Sequence, residues 1–127
     1  MDVAGDTMAW TFFEWGGCAI ALTLGNLGCA YGTAKSGVGI ASMAVTRPHL
    51  AFKAIVPVIM AGILSIYGLI ISVLISQNVV SDPVRNGPGH AAKAWNAGLV
   101  CGLSQVAAGY AIGLVGEHGV RMFGINE

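Results

Sequence analysis

Three stretches of this 127-residue chain, Trp15–Ala34, Ala54–Val80 and Ala94–Gly116, contain no Asp, Glu, Lys or Arg. Twenty residues of α-helix rise about 30 Å, the thickness of a bilayer's hydrocarbon core, so each stretch is long enough to span. Water is absent there, and a backbone must satisfy its own hydrogen bonds, which makes each run a helix. The expected fold class is therefore an all-α transmembrane protein with three membrane-spanning helices. Composition agrees. Charged residues make up 9% of the chain and mean hydropathy is +0.73, whereas soluble domains carry about 25% charged residues. Six basic and six acidic side chains cancel to zero net charge. No basic stripe marks a nucleic-acid partner.

Punctuation between the runs defines the organisation. Arg47-Pro48 ends the first helix, because a residue before proline is biased away from the α region. Ser36–Val45 stays helix-compatible, so helix 1 is expected over about 10–45 and helix 2 over about 50–79. Residues 1–80 then form a first helical hairpin. A dense turn cluster from Ser81-Asp82-Pro83 to Gly87-Pro88-Gly89 opens the 81–93 loop. Residues 94–127 supply a third helix and a short polar tail after Gly116.

The first connection and the tail carry Lys35, Arg47, Lys53 and Arg121, against Arg85 and Lys93 in the other loop. Four basic residues against two put loop 46–52 and the C-terminus in the cytosol, and the N-terminus and loop 81–93 on the luminal side. Trp10, Trp15 and Trp95 belong at the non-cytosolic interface. The N-terminus carries Asp2 and Asp6 but no Lys or Arg, unlike a secretory signal peptide, so the first apolar run is expected to be retained.

A shift of 79 residues lays helix 1 on helix 3. Tyr31 meets Tyr110, Leu24 meets Leu103, Gly37 meets Gly116, and Asn26 meets Gln105. Both copies point the same way, as in a parallel repeat about an axis along the membrane normal. The unit is a hairpin of one Gly/Ala-rich helix and one aliphatic helix. The chain ends at Glu127, so the second hairpin is expected to be half present.

Glycine is abundant, at 19 residues. Gly25, Gly28, Gly32, Gly37 and Gly39 mark helix 1, and Gly98, Gly102, Gly109 and Gly113 mark helix 3. The GxxxG spacings Gly28/Gly32, Gly98/Gly102 and Gly109/Gly113 line small residues on one face, where another backbone can dock. These nine glycines are the expected helix-packing residues. Thin inner helices and a bulky outer helix suit a tight ring of subunits or, alternatively, a compact monomeric bundle.

Few side chains inside the runs carry chemistry. Glu14 is expected at headgroup level and Glu117 in water. Lys35 can snorkel to the interface. Asn26 and Gln105 are expected to hydrogen-bond between helices. Cys18, Cys29 and Cys101 show no zinc or redox spacing. His49, His90 and His118 show no metal-ligand spacing. No metal and no cofactor is expected.

The motifs Ala30-Tyr31-Gly32-Thr33-Ala34-Lys35-Ser36-Gly37-Val38-Gly39-Ile40-Ala41, Arg47-Pro48, Pro57–Ile63, Ile66–Ile70, Ala107–Gly116 and Gly119-Val120-Arg121 resemble the proteolipid (c) subunits of eukaryotic vacuolar-type proton-translocating ATPases. The resemblance covers nearly the whole chain. It implies a ring protein of the membrane sector (V0) in an acidic organelle of the vacuolar or endomembrane system. Such a protein moves protons and is not an enzyme by itself. Implied partners are other proteolipid copies in a homo- or hetero-oligomeric ring, the static V0 a-type subunit, the V0 d-type subunit at the central stalk, and the lipid bilayer.

In that family a fourth-helix glutamate carries the proton. Its repeat equivalent here is Gly62, and the residue itself falls near position 141, so the chain is expected to be truncated before it. Gly62 and Tyr67 are implied as possible lining near the proton site, and no catalytic residue is assigned. The alternative is a three-span, non-transporting structural or ring-spacer membrane protein. A small ion channel is a third class, against which no ring of charged or carbonyl-bearing loop residues forms a filter.

Overall fold

The computed structural model describes residues 3–81 and 87–126. Within them lie three helices, α1 (Val3–Thr46), α2 (Val56–Ser81) and α3 (Pro88–Asn126), and no strand. Two short 3₁₀ turns, Pro48–Leu50 and Lys53–Ile55, join α1 to α2. Every described backbone position avoids positive φ, glycines included. The many glycines are therefore not turn formers here.

The helix boundaries have local causes. Arg47 leaves the α region, at φ −139° and ψ 75°, as its position before Pro48 requires. The Met43 carbonyl in the last turn of α1 is taken up locally: Arg47 N donates to it at 2.9 Å and Thr46 Oγ1 at 2.9 Å. α3 opens with Pro88, whose missing N–H is no loss in a first turn. The Gly87 carbonyl accepts from His90 N at 3.0 Å and Ala91 N at 3.2 Å. Residues 82–86 of the expected turn cluster lie outside the described residues.

α3 is longer than its apolar run. It begins at Pro88 rather than Ala94, and it runs through Gly116–Gly119 to Asn126 where the sequence predicts a polar tail. The reason is tertiary. α1 also overshoots the bilayer, at 44 residues or about 66 Å, and so gives α3 a surface to follow. Val120 is buried with Met43, Leu50 and Ala54 in one apolar cluster at the Arg47–Pro48 end. A second cluster, Cys18, Ile75 and Val79, sits at the opposite end.

α1 is the hub, touching α3 most extensively and α2 next, while α2 and α3 meet far less. A Cβ at Gly98 would overlap Gly17 O, one at Gly109 would overlap Gly28 O, and one at Gly113 would lie 3.3 Å from Gly32 Cα. All three pairs differ by 81 residues, so α1 and α3 run parallel at constant register. α2 returns antiparallel, with Cys18 beside Ser72 and Gly32 beside Ala61.

Large side chains point the other way. Ile59, Ile63, Ile66, Leu69, Ile70, Val73 and Leu74 of α2 are exposed. In water that surface would be one continuous apolar patch; in lipid it is the solvated face. Lys53–Val79 and Pro88–Asn126 are long and apolar enough to cross a membrane. α1 is not of that apolar class, because Gly, Thr, Asn and Tyr dilute its aliphatic residues. It lies along both.

Candidate functional site

The polar groups of the bundle fall at three levels. Midway along α1, Ser65 Oγ of α2 donates to Asn26 Oδ1. Close by, toward the tryptophan end, Gln105 of α3 enters the notch left by Gly25 and Gly68. Its Oε1 lies 3.0 Å from where a Cβ on Gly68 would sit, and a Cβ on Gly25 would overlap it. Gln105 is buried. Its Nε2 donates to Cys101 Sγ, within α3, at 3.1 Å, and its Oε1 has no partner. Asn26 thus links two helices, as expected, and Gln105 does not: the facing glycines have no side chain to answer it. Nearer the tryptophan end, Ser72 Oγ donates to Cys18 O at 2.8 Å and Cys18 Sγ to Ser72 O at 3.4 Å.

At the Arg47–Pro48 end, Glu117 is held by two cations. Arg121 Nη2 lies 2.8 Å from Glu117 Oε1, one helical turn away, and Lys35 Nζ lies 3.7 Å from Oε2, across from α1. The Glu117 side chain is only 12% exposed. The structure corrects the expectation of a carboxylate in water. Because α3 stays helical past Gly116, Glu117 is carried against Gly39 and Lys35 instead of into a tail.

At the tryptophan end, Phe13 meets Trp95 edge to face, at 5.5 Å and 77°. Trp95 also covers Gly16. Glu14 differs from its expected place at headgroup level. Its exposure is 0%, and neither carboxylate oxygen has a hydrogen-bond partner. Its sequence neighbours, Phe13 and Trp15, suggest an interface. Its phase on α1, one turn before Cys18, turns it inward against α2 and α3.

Of the expected packing glycines, Gly25, Gly28, Gly32, Gly98, Gly102, Gly109 and Gly113 lie within contact of another helix. Gly39 joins them, with Glu117 O 2.9 Å from a Cβ built there. Gly37 has open space beside it. Gly17, Gly68 and Gly116 also make close contacts; all three lie outside any GxxxG, and only the register of the partner helix reveals them. Gly62 has nothing within 4 Å, and Tyr67 is 55% exposed on the same outer helix. Tyr31 and Tyr110, paired by the repeat, stack at 5.3 Å with 24° between rings. Among the described residues no group of three His, Cys, Asp or Glu side chains is placed to hold a metal ion.

This geometry has relatives. The family model for the C subunits of ATP synthases matches residues 16–75. The 16 kDa proteolipid c-type subunit of the V-type proton ATPase of Nephrops norvegicus is 49% identical over 124 residues, covering 95% of this chain and 76% of that protein. Its counterpart from Ascaris suum is 50% identical over 114 residues, 87% of this chain and 68% of that protein. The sheep (Ovis aries) counterpart is 50% identical over 111 residues, 87% and 70% of the two chains.

Proposed function

Because this chain belongs to the family of V-type proton ATPase 16 kDa proteolipids, we propose that it serves as a ring-forming proteolipid of the V0 sector, in proton transport across an organelle membrane. It is an integral membrane protein and acts as part of a proton-translocating ATPase. The observation that carries the ring assignment is the two-layer bundle. α1 and α3 run parallel through glycine contacts, and α2 lies outside them with its aliphatic face free. Thin helices on one side and bulky helices on the other give a wedge, and wedges close into a ring when copies meet head to tail.

Proton transfer needs a carboxyl that is neutral in lipid and ionised in water, since a bare charge at the bilayer centre is expensive. We assign that carboxyl to a neighbouring element of the ring, with Gly62 and Tyr67 as its lining on α2. In support, Gly62 leaves open space and the nearby Tyr67 is half exposed. The described acidic side chains, Asp6, Glu14 and Glu117, all lie toward helix ends rather than at mid-span. The same reading puts the Arg47–Pro48 end in the cytosol, facing the d-type subunit, and α2 toward the static a-type subunit. The tryptophan end then lies in the lumen of an acidic organelle.

A tagged copy expressed in cells that assemble V-type ATPases tests the reading. It is expected to co-purify with the a-type and d-type subunits in mild detergent. Recovery only as a free monomer would sink the ring assignment. Acidification in a strain lacking its own proteolipid then separates a transporting protein from a non-transporting spacer: restored acidification supports transport, and assembly without it supports the spacer.

A further inference from the structure

Glu14 faces a cleft that the two-layer ring geometry leaves unexplained. The cleft holds about 270 Å³ and is lined by Glu14 of α1, Ile75, Asn78 and Val79 of α2, and His90, Lys93 and Ala94 of α3. That is room for several waters, at about 30 Å³ each. Glu14 is buried to 0% exposure and both of its oxygens lack partners. A carboxylate shut in without a partner is so costly that it takes up a proton or finds a counter-charge instead. Both remedies lie in the same cleft. Water entering it can bring the proton, and Lys93 supplies a cationic group, with the His90 imidazole beside it.

The groups facing Glu14 can be named element by element. From α2, the lining residues Ile75, Asn78 and Val79 have no ionisable side chain. From α3 come His90, half-buried, and Lys93, exposed. On α1 the nearest titratable group is Cys18, one turn on, whose thiol donates to Ser72 O. Neither Glu14 oxygen bonds to Lys93 or His90 in this arrangement, so the carboxyl is in its unpaired state.

We propose that Glu14 is a proton-binding site at the tryptophan end of the bundle, exchanging its proton through the Asn78–His90–Lys93 cleft and pairing with Lys93 when ionised. This site is separate from any mid-span carboxyl. It does not depend on ring membership, since every lining residue belongs to one chain. A proton leaves Glu14 to water, and the charge that remains is met by the Lys93 ammonium.

The test is carbodiimide labelling of the full chain purified into liposomes, read by peptide mass spectrometry over a pH series. A hydrophobic carbodiimide adds the O–H of a protonated carboxyl across one C=N bond, and the acyl group then migrates to nitrogen, leaving a stable N-acylurea with no leaving group. Glu14 is expected to be modified, with modification falling as pH rises. Glu117, held by Lys35 and Arg121, is the paired control and stays unmodified. Lys93→Met is expected to raise Glu14 modification at the alkaline end by about two- to fivefold, the scale of one partly exposed charge pair. Lys93→Arg is expected to keep the wild-type profile. Lys93 is exposed, so these variants leave the packed interior intact. Absence of the Glu14 adduct, or a pH profile that Lys93→Met leaves unchanged, overturns the proposal.

Discussion

The backbone carbonyl of Gly28 rests directly against Gly109, so closely that a Cβ on Gly109 would overlap it. With Gly17 against Gly98, this contact sets the separation of α1 and α3. In lipid, where apolar surface gains nothing by leaving solvent, close backbone packing of this kind is a main source of helix association.

Gly109→Val should therefore force the two helices apart. The expected cost is about 1–3 kcal/mol, the range for overpacking a filled interior. Gly62→Ala, with open space beside it, should change stability by less than about 0.5 kcal/mol. Equilibrium unfolding in mixed detergent measures both. Equal effects would show that the Gly28–Gly109 contact does not limit packing.

Gln105 gives a prediction of opposite sign. Its Oε1 is buried with no partner, while its bulk fills the notch at Gly25 and Gly68. Removing an unsatisfied polar atom while keeping the volume is neutral or stabilising. Gln105→Leu should match or exceed the parent's thermal midpoint. Gln105→Ala keeps no bulk there and should lose about 2 kcal/mol or more. A strongly destabilised Gln105→Leu would mean that the amide makes a bond essential to the fold.

The Ser72–Cys18 pair joins α1 to α2 by reciprocal bonds to backbone carbonyls. Ser72→Ala removes the shorter one and leaves the thiol bond in place. The expected loss is about 0.6 kcal/mol and no more than about 1.7, as for hydrogen bonds within membrane bundles. A double-mutant cycle with Cys18→Ala should show coupling between the two positions, because the bonds run between the same residues.

At the opposite end, Glu117→Gln removes both charge pairs. Lys35 and Arg121 are 42% and 48% exposed, and exposed pairs contribute about 0.2–1 kcal/mol. The variant should therefore lose less than about 1 kcal/mol at low salt. The difference from the parent should shrink as salt rises and screening shortens the reach of the charges. A salt-independent loss would point instead to packing of the Glu117 side chain against Gly39.

Much of this molecule follows from one-dimensional pattern. Uncharged runs of span length dictate helices, because lipid offers the backbone no other partner. Arg47-Pro48 ends α1 for a steric reason carried by two adjacent residues. The 79-residue repeat already pairs Tyr31 with Tyr110, which the structure stacks, and the glycine-rich motifs carry the family resemblance that the relatives bear out.

What needed three dimensions is which face of each helix meets a neighbour. The six glycines in GxxxG spacing all meet another helix, but the spacing does not name the partner, and outside it glycine alone decides nothing: Gly37 and Gly62 stand beside open space while Gly17 is packed against α3. The places of Glu14 and Glu117 at the ends of apolar runs predict interfacial or solvated carboxylates. Both are sheltered because α1 and α3 continue past the hydrocarbon core and cover each other there. By itself the sequence determined the helices, their order and their family, since those depend on local sterics and on solvent. Tertiary structure decided the register between α1 and α3, and through it which carboxyl is paired and which is left alone. That register comes from backbone-to-backbone contact between residues 81 positions apart, and no pattern within one helix encodes it.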